Sequence, residues 1–539
     1  MNPFVKKNFA AAASLVLLLL MGMGCRSEKT TGRNVLLITL DTLRADHVSA
    51  YGTDLAATPI MDDLAAQGIL VENCYSPIPI TLPAHLALFY SRMPHELSIY
   101  NNGEKFRQYK RLSLSEIFKS KGYDTAAFVS LGVLKKNIGV QEGFDLYRDD
   151  FRSERWYHTA EEINERVLPW VKTHADKPFF AWIHYSDPHE PYAPPDLEPD
   201  LMVSLNGEKV GEYCLQKHQI EELPIELNKG ENILELTVVS PKLETQDEFH
   251  ARFVLFELTS PNNPAALTTE IPDNWMIADN EKSTIHMPEK GKLILTSSQE
   301  RLPAVFRFQG KLNLIKEENP VLYKREVEYL DRSLGQLFQE LKDMGLWDRC
   351  LVVLAGDHGE GLGEYLTDTD RPHYGHLHYL YSPYVRVPLM FHCPWNKAKG
   401  ITVKRRTSLL DVAPTVLTLM GWEIPLEMSG RSILDSSMPE QQDVQLETFV
   451  PQAYHDSISL IKGERHLILT PRLKKYEFYD LSREDIEKTD LFESLADTPE
   501  VKAMVEELNE SAREVLTKKA QQAPEKDARE ILRSLGYIR

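Results

Sequence analysis

The chain has 539 residues, 42% hydrophobic and 26% charged, with 80 acidic against 61 basic side chains and a formal net charge of −19. That acidity argues against nucleic acid and anionic lipid headgroups as partners, since both are held through basic patches. Five cysteines without CxxC spacing suggest neither a zinc knuckle nor a redox pair, and the length predicts more than one domain.

Residues 1–24 read as an export signal. Lys6 and Lys7 supply the positive end, Phe9–Met21 the apolar core, and Gly22-Met23-Gly24 precede Cys25. The run is too short and wrongly flanked to span a membrane. Small residues directly before a cysteine resemble the bacterial lipoprotein cleavage site, although Gly22 stands where Leu is usual. The expectation is an exported cell-envelope protein, periplasmic or at the cell surface, lipid-anchored at Cys25 through the polar tether Arg26–Gly32. Loss of residues 1–24 removes two lysines and no acid, taking the formal charge from −19 to −21. An acidic protein with an anionic substrate must focus positive charge locally, and a bound metal ion would do so.

From residue 33 to 195, strand and helix signals alternate. Val35–Leu40 is a continuous apolar run that changes abruptly at Asp41, the pattern of a strand buried on both faces. Thr58-Pro59 opens a helix closed by Gly68, and Ile69–Cys74 is a short strand. A helix over Leu112–Lys121, a strand over Thr125–Val129, a helix over Ala160–Thr173 and a strand over Phe179–Tyr185 follow. Such alternation predicts a mostly parallel sheet sandwiched by helices. Between about 196 and 316 the runs become short and partly alternating, with turns at Asn206-Gly207 and Lys229-Gly230, which predicts an inserted all-β domain. No aromatic cluster there marks a sugar platform, and packing is the favoured role. The α/β pattern resumes over 317–431 with a helix over Val321–Met344, a buried strand over Cys350–Ala355 and a helix over Ser408–Met420. Residues 432–539 read as a smaller C-terminal α+β part with an edge strand at Lys475–Leu481 and a charged helical tail.

Polar clusters fall at the predicted strand ends and helix starts: Asp41, the segment Thr81–His85, Asp187 with His189, and Asp357-His358. His373–His378 lie in the loop after the last of these. In open α/β sheets, ligands bind beyond the carboxyl ends of strands. Asp together with Asp-His suits a divalent cation with mixed oxygen and nitrogen ligands. Thr81 at a helix start lies where an anion is favoured, and a metal-bound hydroxyl there could attack phosphorus or sulfur. For an isolated Thr, a helix cap is the simpler role.

The motifs NVLLITLDTLRADHVSAYG, ITLPAHLAL, KPFFAWIHYSDPHEPYAPP, VLAGDHGEGLGEY, VRVPLMF, SLLDVAPTVLTLMG and YEFYDL occur in this order. Together they resemble the sulfatase family of the alkaline phosphatase superfamily, across residues 33–195 and 317–482 and at Leu535-Gly536-Tyr537. The resemblance implies an α/β catalytic domain holding one divalent ion (Ca, Mg, Mn or Zn). It implies Asp41, Asp357 and His358 as metal ligands and Thr81 as a nucleophile that also contacts the metal. It further implies that His189 and His376 hold the ester oxygens or protonate the leaving group.

Several positions depart from the family. Sulfatases use a Cys or Ser in a Cys/Ser-x-Pro-x-Arg segment, oxidised to formylglycine; here Thr81 takes that place, and His85 replaces the Arg and is counted with the catalytic residues. Thr42 stands where many sulfatases have a second Asp. Tyr90-Ser91 replace a Thr-Gly, and Leu97-Ser98 replace a His-Gly. A Thr cannot become the aldehyde, whereas related phosphodiesterases and phosphoryl transferases use Thr directly. The expected activity is therefore hydrolysis of a sulfate or phosphate ester, with phosphate mono- or diesters preferred and a sulfated or phosphorylated glycan a candidate substrate. The alternatives are an envelope phosphoryl-group transferase and a catalytically inactive glycan-binding lipoprotein. Asp187, His373 and His378 are candidates for a second metal.

Overall fold

A computed structural model describes residues 32–520, apart from 107–111, 137, 152–154, 195–198, 216–219, 240–250, 262, 271–275, 278–284, 313–318, 368, 397–398, 440–441, 450–455 and 484–486. The expected export segment, Cys25 and the Leu535–Tyr537 motif lie outside the described residues. Among those described, no helix is long and apolar enough to cross a membrane.

The apolar run after Asn34 makes the central strand, β1 (Asn34–Leu40), and all seven of its residues are buried. Around it form β2 (Ile69–Tyr75), β3 (Asp124–Phe128), β4 (Leu146–Arg148), β5 (Phe179–Tyr185), β6 (Cys350–Gly356), β7 (Arg386–His392) and β8 (Ile401–Ser408). They make one sheet of order β8-β2-β7-β6-β1-β5-β3-β4. Neighbours pair parallel except at β7, which runs against both β6 and β2. The sheet is thus mostly parallel with one reversed strand, and strands buried on both faces read as unbroken apolar runs.

Alternate residues of β1 serve opposite layers. Val35 and Leu37 pack with helices α2 (Thr81–Tyr90) and α6 (Val412–Met420). Leu36, Ile38 and Leu40 pack with α1 (Pro59–Gln67), α4 (Ala160–Thr173) and α5 (Asn319–Asp343). Helix α3 (Leu114–Ser120) joins the first layer. Local signals set the ends: Ser113 and Thr159 each cap a helix through a capping box with the Glu three residues on. The run Ser408–Met420 is not one helix. A 3-10 turn over Leu409–Asp411, held by Asp411 Oδ2 accepting from Ser408 N at 3.0 Å, precedes α6.

Among the described residues between 201 and 312, ten strands form two five-stranded antiparallel sheets. Leu234, Leu236 and Leu293 of one sheet share a core with Phe253, Phe306 and Phe308 of the other, a sandwich made by alternating inward residues. Beyond residue 443, strands Val444–Thr448, Ser457–Lys462, Arg465–Thr470 and Lys475–Asp480 make an antiparallel sheet with Lys475–Asp480 at one edge. Helix α7 (Pro499–Ala520) covers it, and its Val501, Met504 and Leu508 share a core with Ile78 and Ile80 just ahead of Thr81. The C-terminal part therefore buttresses the segment that carries the candidate nucleophile.

Candidate active site

The register of the sheet builds the site. Leu40 pairs with Gly356 across parallel β1 and β6, so the residues that follow, Asp41 and Asp357, leave the sheet side by side. Asp41 N donates to Tyr185 O at 2.8 Å, which ties this corner to the end of β5. Thr81 is the first residue of α2, a helix of ten residues that are all buried.

These elements bring Asp41, Asp357, His358 and Thr81 together. His358 Nε2 lies 3.7 Å from Asp41 Oδ1, 3.6 Å from Asp357 Oδ2 and 3.2 Å from Thr81 Oγ1. His358 Nδ1 donates to Gly359 O at 2.9 Å, so Nε2 keeps its lone pair toward the cluster. Both Asp41 oxygens and Asp357 Oδ2 are buried without a hydrogen-bond partner among the described residues. Unpaired buried carboxylates are costly, and the shortage here is of positive charge. A divalent cation among these oxygens and the imidazole fits that shortage and the donor set.

The electrostatics agree. Burial, then repulsion from Asp41, push the Asp357 carboxyl well above the usual range. Burial also pushes Asp41 up, but the imidazoles of His184, His189 and His358 more than offset it and hold that carboxyl below the usual range. Two adjacent buried carboxylates repel, so that one is favoured ionised and the other neutral. Burial and neighbouring histidines lower His358 and His376 to about 3, so both rings are neutral near pH 7.

Thr42 is not a ligand in place of the second family Asp. It adopts a left-handed backbone, φ 56°, and turns its hydroxyl to Pro188 O at 2.7 Å. Its N–H instead donates to Asp357 Oδ1 at 3.1 Å and orients that carboxylate. His85 lies one turn behind Thr81 with both ring nitrogens engaged: Nδ1 donates to Thr81 O at 2.7 Å and Nε2 accepts from Thr39 Oγ1 at 2.9 Å. Trp182 Nε1 donates to the same Thr39 oxygen at 2.8 Å. The two bonds tie the start of α2 to β1, and His85 Nδ1 also lies 3.6 Å from Asp357 Oδ2.

His189 and His376 face each other with centroids 5.1 Å apart, and His376 lies 4.6 Å from His358. His376 Nδ1 is 3.3 Å from Glu360 Oε1, and His189 Nδ1 donates to Glu190 O. Asp187, His373 and His378 share no common group of ligand atoms among the described residues.

Sequence reasoning missed His184. It is fully buried near the end of β5, with Nε2 3.3 Å from Asp41 Oδ2, and it joins His85 and Asp357 in a second group of potential ligands. A histidine inside an otherwise apolar strand, one residue before the strand's carboxyl end, was the signal. Glu360 was also missed; it is fully buried, and burial holds its carboxyl well above the usual range.

The profile described as Sulfatase matches residues 33–422. The chain belongs to the sulfatase family. A second profile, N-sulphoglucosamine sulphohydrolase, C-terminal, matches residues 374–526. As a sulfatase-family protein the chain is an ester hydrolase of the sulfuric-ester class. It is 21% identical over 510 residues to an N-acetylglucosamine-6-O-sulfatase of Bacteroides thetaiotaomicron, covering 88% of this chain and 83% of that one. It is 24% identical over 483 residues to a choline-sulfatase of Rhizobium meliloti, covering 86% and 83%. Among solved structures, an enzyme in complex with its substrate D-glucosamine-2-N,6-O-disulfate superposes with TM-score 0.58 at 16% identity, over 91% of this chain and 100% of that one. The phosphonate monoester hydrolase of Agrobacterium radiobacter gives TM-score 0.56 at 17% identity, over 91% and 96%.

Proposed function

We propose that this sulfatase-family hydrolase uses Thr81 as its direct nucleophile and prefers phosphate monoesters or diesters to sulfate esters. The observation that carries the reading is Thr81 Oγ1 at 3.2 Å from His358 Nε2, beside the unpaired oxygens of Asp41 and Asp357. Asp41, Asp357, His358 and Thr81 would hold one divalent ion, which when bound would neutralise the ester and lower the pKa of the hydroxyl. Residues of the chain do the rest. His85 and Thr39 fix the start of α2, and with it the direction of Thr81. His189 and His376 hold the ester oxygens opposite the nucleophile; the Thr81 hydroxyl gives its proton to solvent, and one of the two rings, protonated from solvent, passes a proton to the departing alkoxide. The Thr81 oxygen forms its bond to phosphorus as the bond from phosphorus to the alcohol oxygen breaks. Water then displaces Thr81 from phosphorus and releases phosphate, or a phosphomonoester when the substrate is a diester.

The choice of phosphorus follows from the nucleophile. A formylglycine hydrate expels sulfate by C–O cleavage, using its second hydroxyl. A sulfated threonine has no such hydroxyl and must wait for water, whereas a phosphothreonine is more readily displaced. The names of the relatives support an anionic ester such as a sulfated glycan as the substrate, and the threonine nucleophile extends the reading to a phosphorylated glycan. The signal ahead of Cys25 supports an exported, lipid-anchored location.

The test uses protein beginning at Arg26, loaded in turn with Ca, Mg, Mn and Zn. We would measure kcat/KM for an aryl sulfate, an aryl phosphate and an aryl phosphodiester, with Thr81→Ala alongside. Phosphoester turnover that disappears in Thr81→Ala is the expected result. Dominant sulfate turnover would overturn the preference, and phosphoester turnover surviving in Thr81→Ala would overturn the nucleophile.

A further inference from the structure

The carboxyl ends of β1 and β6 carry the candidate active site, and the amino ends of the same strands carry a different surface. Parallel strands β1, β3, β5 and β6 all begin there, and the reversed β7 ends there. The length of β1 alone sets the two surfaces about 20 Å apart. Arg33 directly precedes β1, and its Cζ lies 4.8 Å from the ring centre of Trp395, just past the end of β7. Lys121 closes α3 just ahead of β3, and its Nζ lies 5.7 Å from the ring centre of Trp422, just past α6. Both tryptophans are half-buried, with part of each ring seated on the core. In the stretch after Trp422, Ile424 is 37% exposed and Leu426 is 98% exposed.

Tryptophans with an apolar body and a wet edge, long cationic side chains over them and aliphatic side chains in water are the composition of a membrane–water interface. An exposed leucine alone is ordinary on a protein surface. What selects a bilayer here is the place where the chain enters. Seven residues, Arg26–Gly32, join Cys25 to Arg33, and that length reaches at most about 28 Å. An acyl chain on Cys25 therefore holds the bilayer within that distance of Arg33, and Arg33 belongs to this face. The charges define the headgroup. Glu423 and Glu427 are exposed in the stretch that carries Leu426, beside the cations Arg33 and Lys121. Mixed signs suit a zwitterionic headgroup, whose phosphate meets the cations and whose ammonium meets the carboxylates. The net charge of −19 disfavours an anionic surface.

We propose that this face docks on a zwitterionic bilayer, with Trp395 and Trp422 at headgroup level and Leu426 among the acyl chains, so that the active site opens away from the membrane. The proposal rests on the lipid-anchored reading above, and the experiment keeps the two separable. We would reconstitute the mature full chain in vesicles of phosphatidylcholine brominated along its acyl chains, which quench tryptophans that reach the bilayer. Wild type, Trp422→Phe, Leu426→Asp and Trp156→Phe would be compared. Trp422→Phe keeps a ring against Phe118, 4.9 Å away, and Leu426→Asp alters a side chain that is fully in water. Trp156 shares a cavity wall with the active-site residue His189 and reports the opposite face. The expected result is quenching in wild type that falls by at least half in Trp422→Phe and in Leu426→Asp and is unchanged in Trp156→Phe. Quenching that is lost in Trp156→Phe, or undiminished in both other variants, overturns the proposal. So does absence of quenching while the protein stays vesicle-bound, which leaves the face to a protein partner. Mass spectrometry of Cys25 reads the anchor by itself. If no acyl chain is present, the anchored reading fails alone. The same comparison is then made on protein beginning at Arg26, coupled through its amino terminus to a lipid headgroup, and the same outcomes decide.

Discussion

His184 Nε2 stands 3.3 Å from Asp41 Oδ2, both side chains are fully buried, and the other ring nitrogen of His184 is 2.9 Å from Ser130 Oγ. The pair helps to fix the direction of a carboxylate whose other oxygen lies 3.7 Å from His358 Nε2. Groups that orient a metal ligand commonly matter about 10–100-fold for affinity. His184→Ala is therefore expected to weaken binding of the divalent ion by roughly that factor. Chelator competition on the purified protein checks it, and an unchanged affinity would reduce His184 to packing.

Asp357 presents a contrast between the metal-free and metal-loaded protein. Its Oδ1 accepts from Thr42 N and His358 N, whereas Oδ2 faces Asp41 and His358. In Asp357→Asn the oxygen that the two N–H groups need is kept, while the repulsion between two buried carboxylates is removed. The variant should unfold at a higher temperature than wild type in chelator, yet gain less from added metal because a ligand charge is lost. Thermal melts in both conditions read this directly. A variant that is less stable in chelator and equally stabilised by metal would contradict the assignment.

Most of the scaffold was legible because its signals are local. Apolar runs mark β1, β5 and β6, and Thr159 with Glu162 marks the start of α4. The reversal of β7 was not legible, because periodicity carries no strand direction. Asp41, Asp357 and His358 could be found from polar residues that end buried strands. His184 could not be found so easily, since it sits inside an apolar run and acquires meaning only when β5 lies beside β1. The roles of Thr42 and His85 also needed coordinates: one turns its hydroxyl away from the carboxylates, and the other spends both nitrogens on Thr39 and Thr81.

The two serines at family glycine positions separate strain from compensation. Ser91 ends α2 and Ser98 follows a short helical turn, both left-handed, with φ 52° and φ 63°. The Ser91 hydroxyl donates to Leu410 O at 2.7 Å and accepts from Gly430 N at 2.9 Å, whereas among the described residues the Ser98 hydroxyl makes no such bonds. A left-handed non-glycine residue costs about 1 kcal/mol, comparable to a single hydrogen bond. Ser98→Gly should therefore stabilise the protein by up to about 1 kcal/mol, and Ser91→Gly should destabilise it by a similar amount. Thermal unfolding of the two variants side by side tests the opposite signs.

Asp187 should leave a mark on the pH dependence of stability. Burial first, then the charges of Glu162 and Glu161, push its carboxyl up to about 7, against an unfolded value of 3.8. Between those values the folded chain holds a proton that the unfolded chain has lost. Stability from this group therefore falls as pH rises from about 4 to about 7 and levels off above that. Asparagine has no such titration. The stability of Asp187→Asn relative to wild type should rise across this window and plateau near pH 8. At full ionisation the difference is on the order of 4 kcal/mol, since one pKa unit is worth about 1.4 kcal/mol. Denaturant melts of both proteins at pH 5, 6, 7 and 8, without added cations, measure it. A difference that stays flat with pH would mean that the buried carboxyl is ionised throughout.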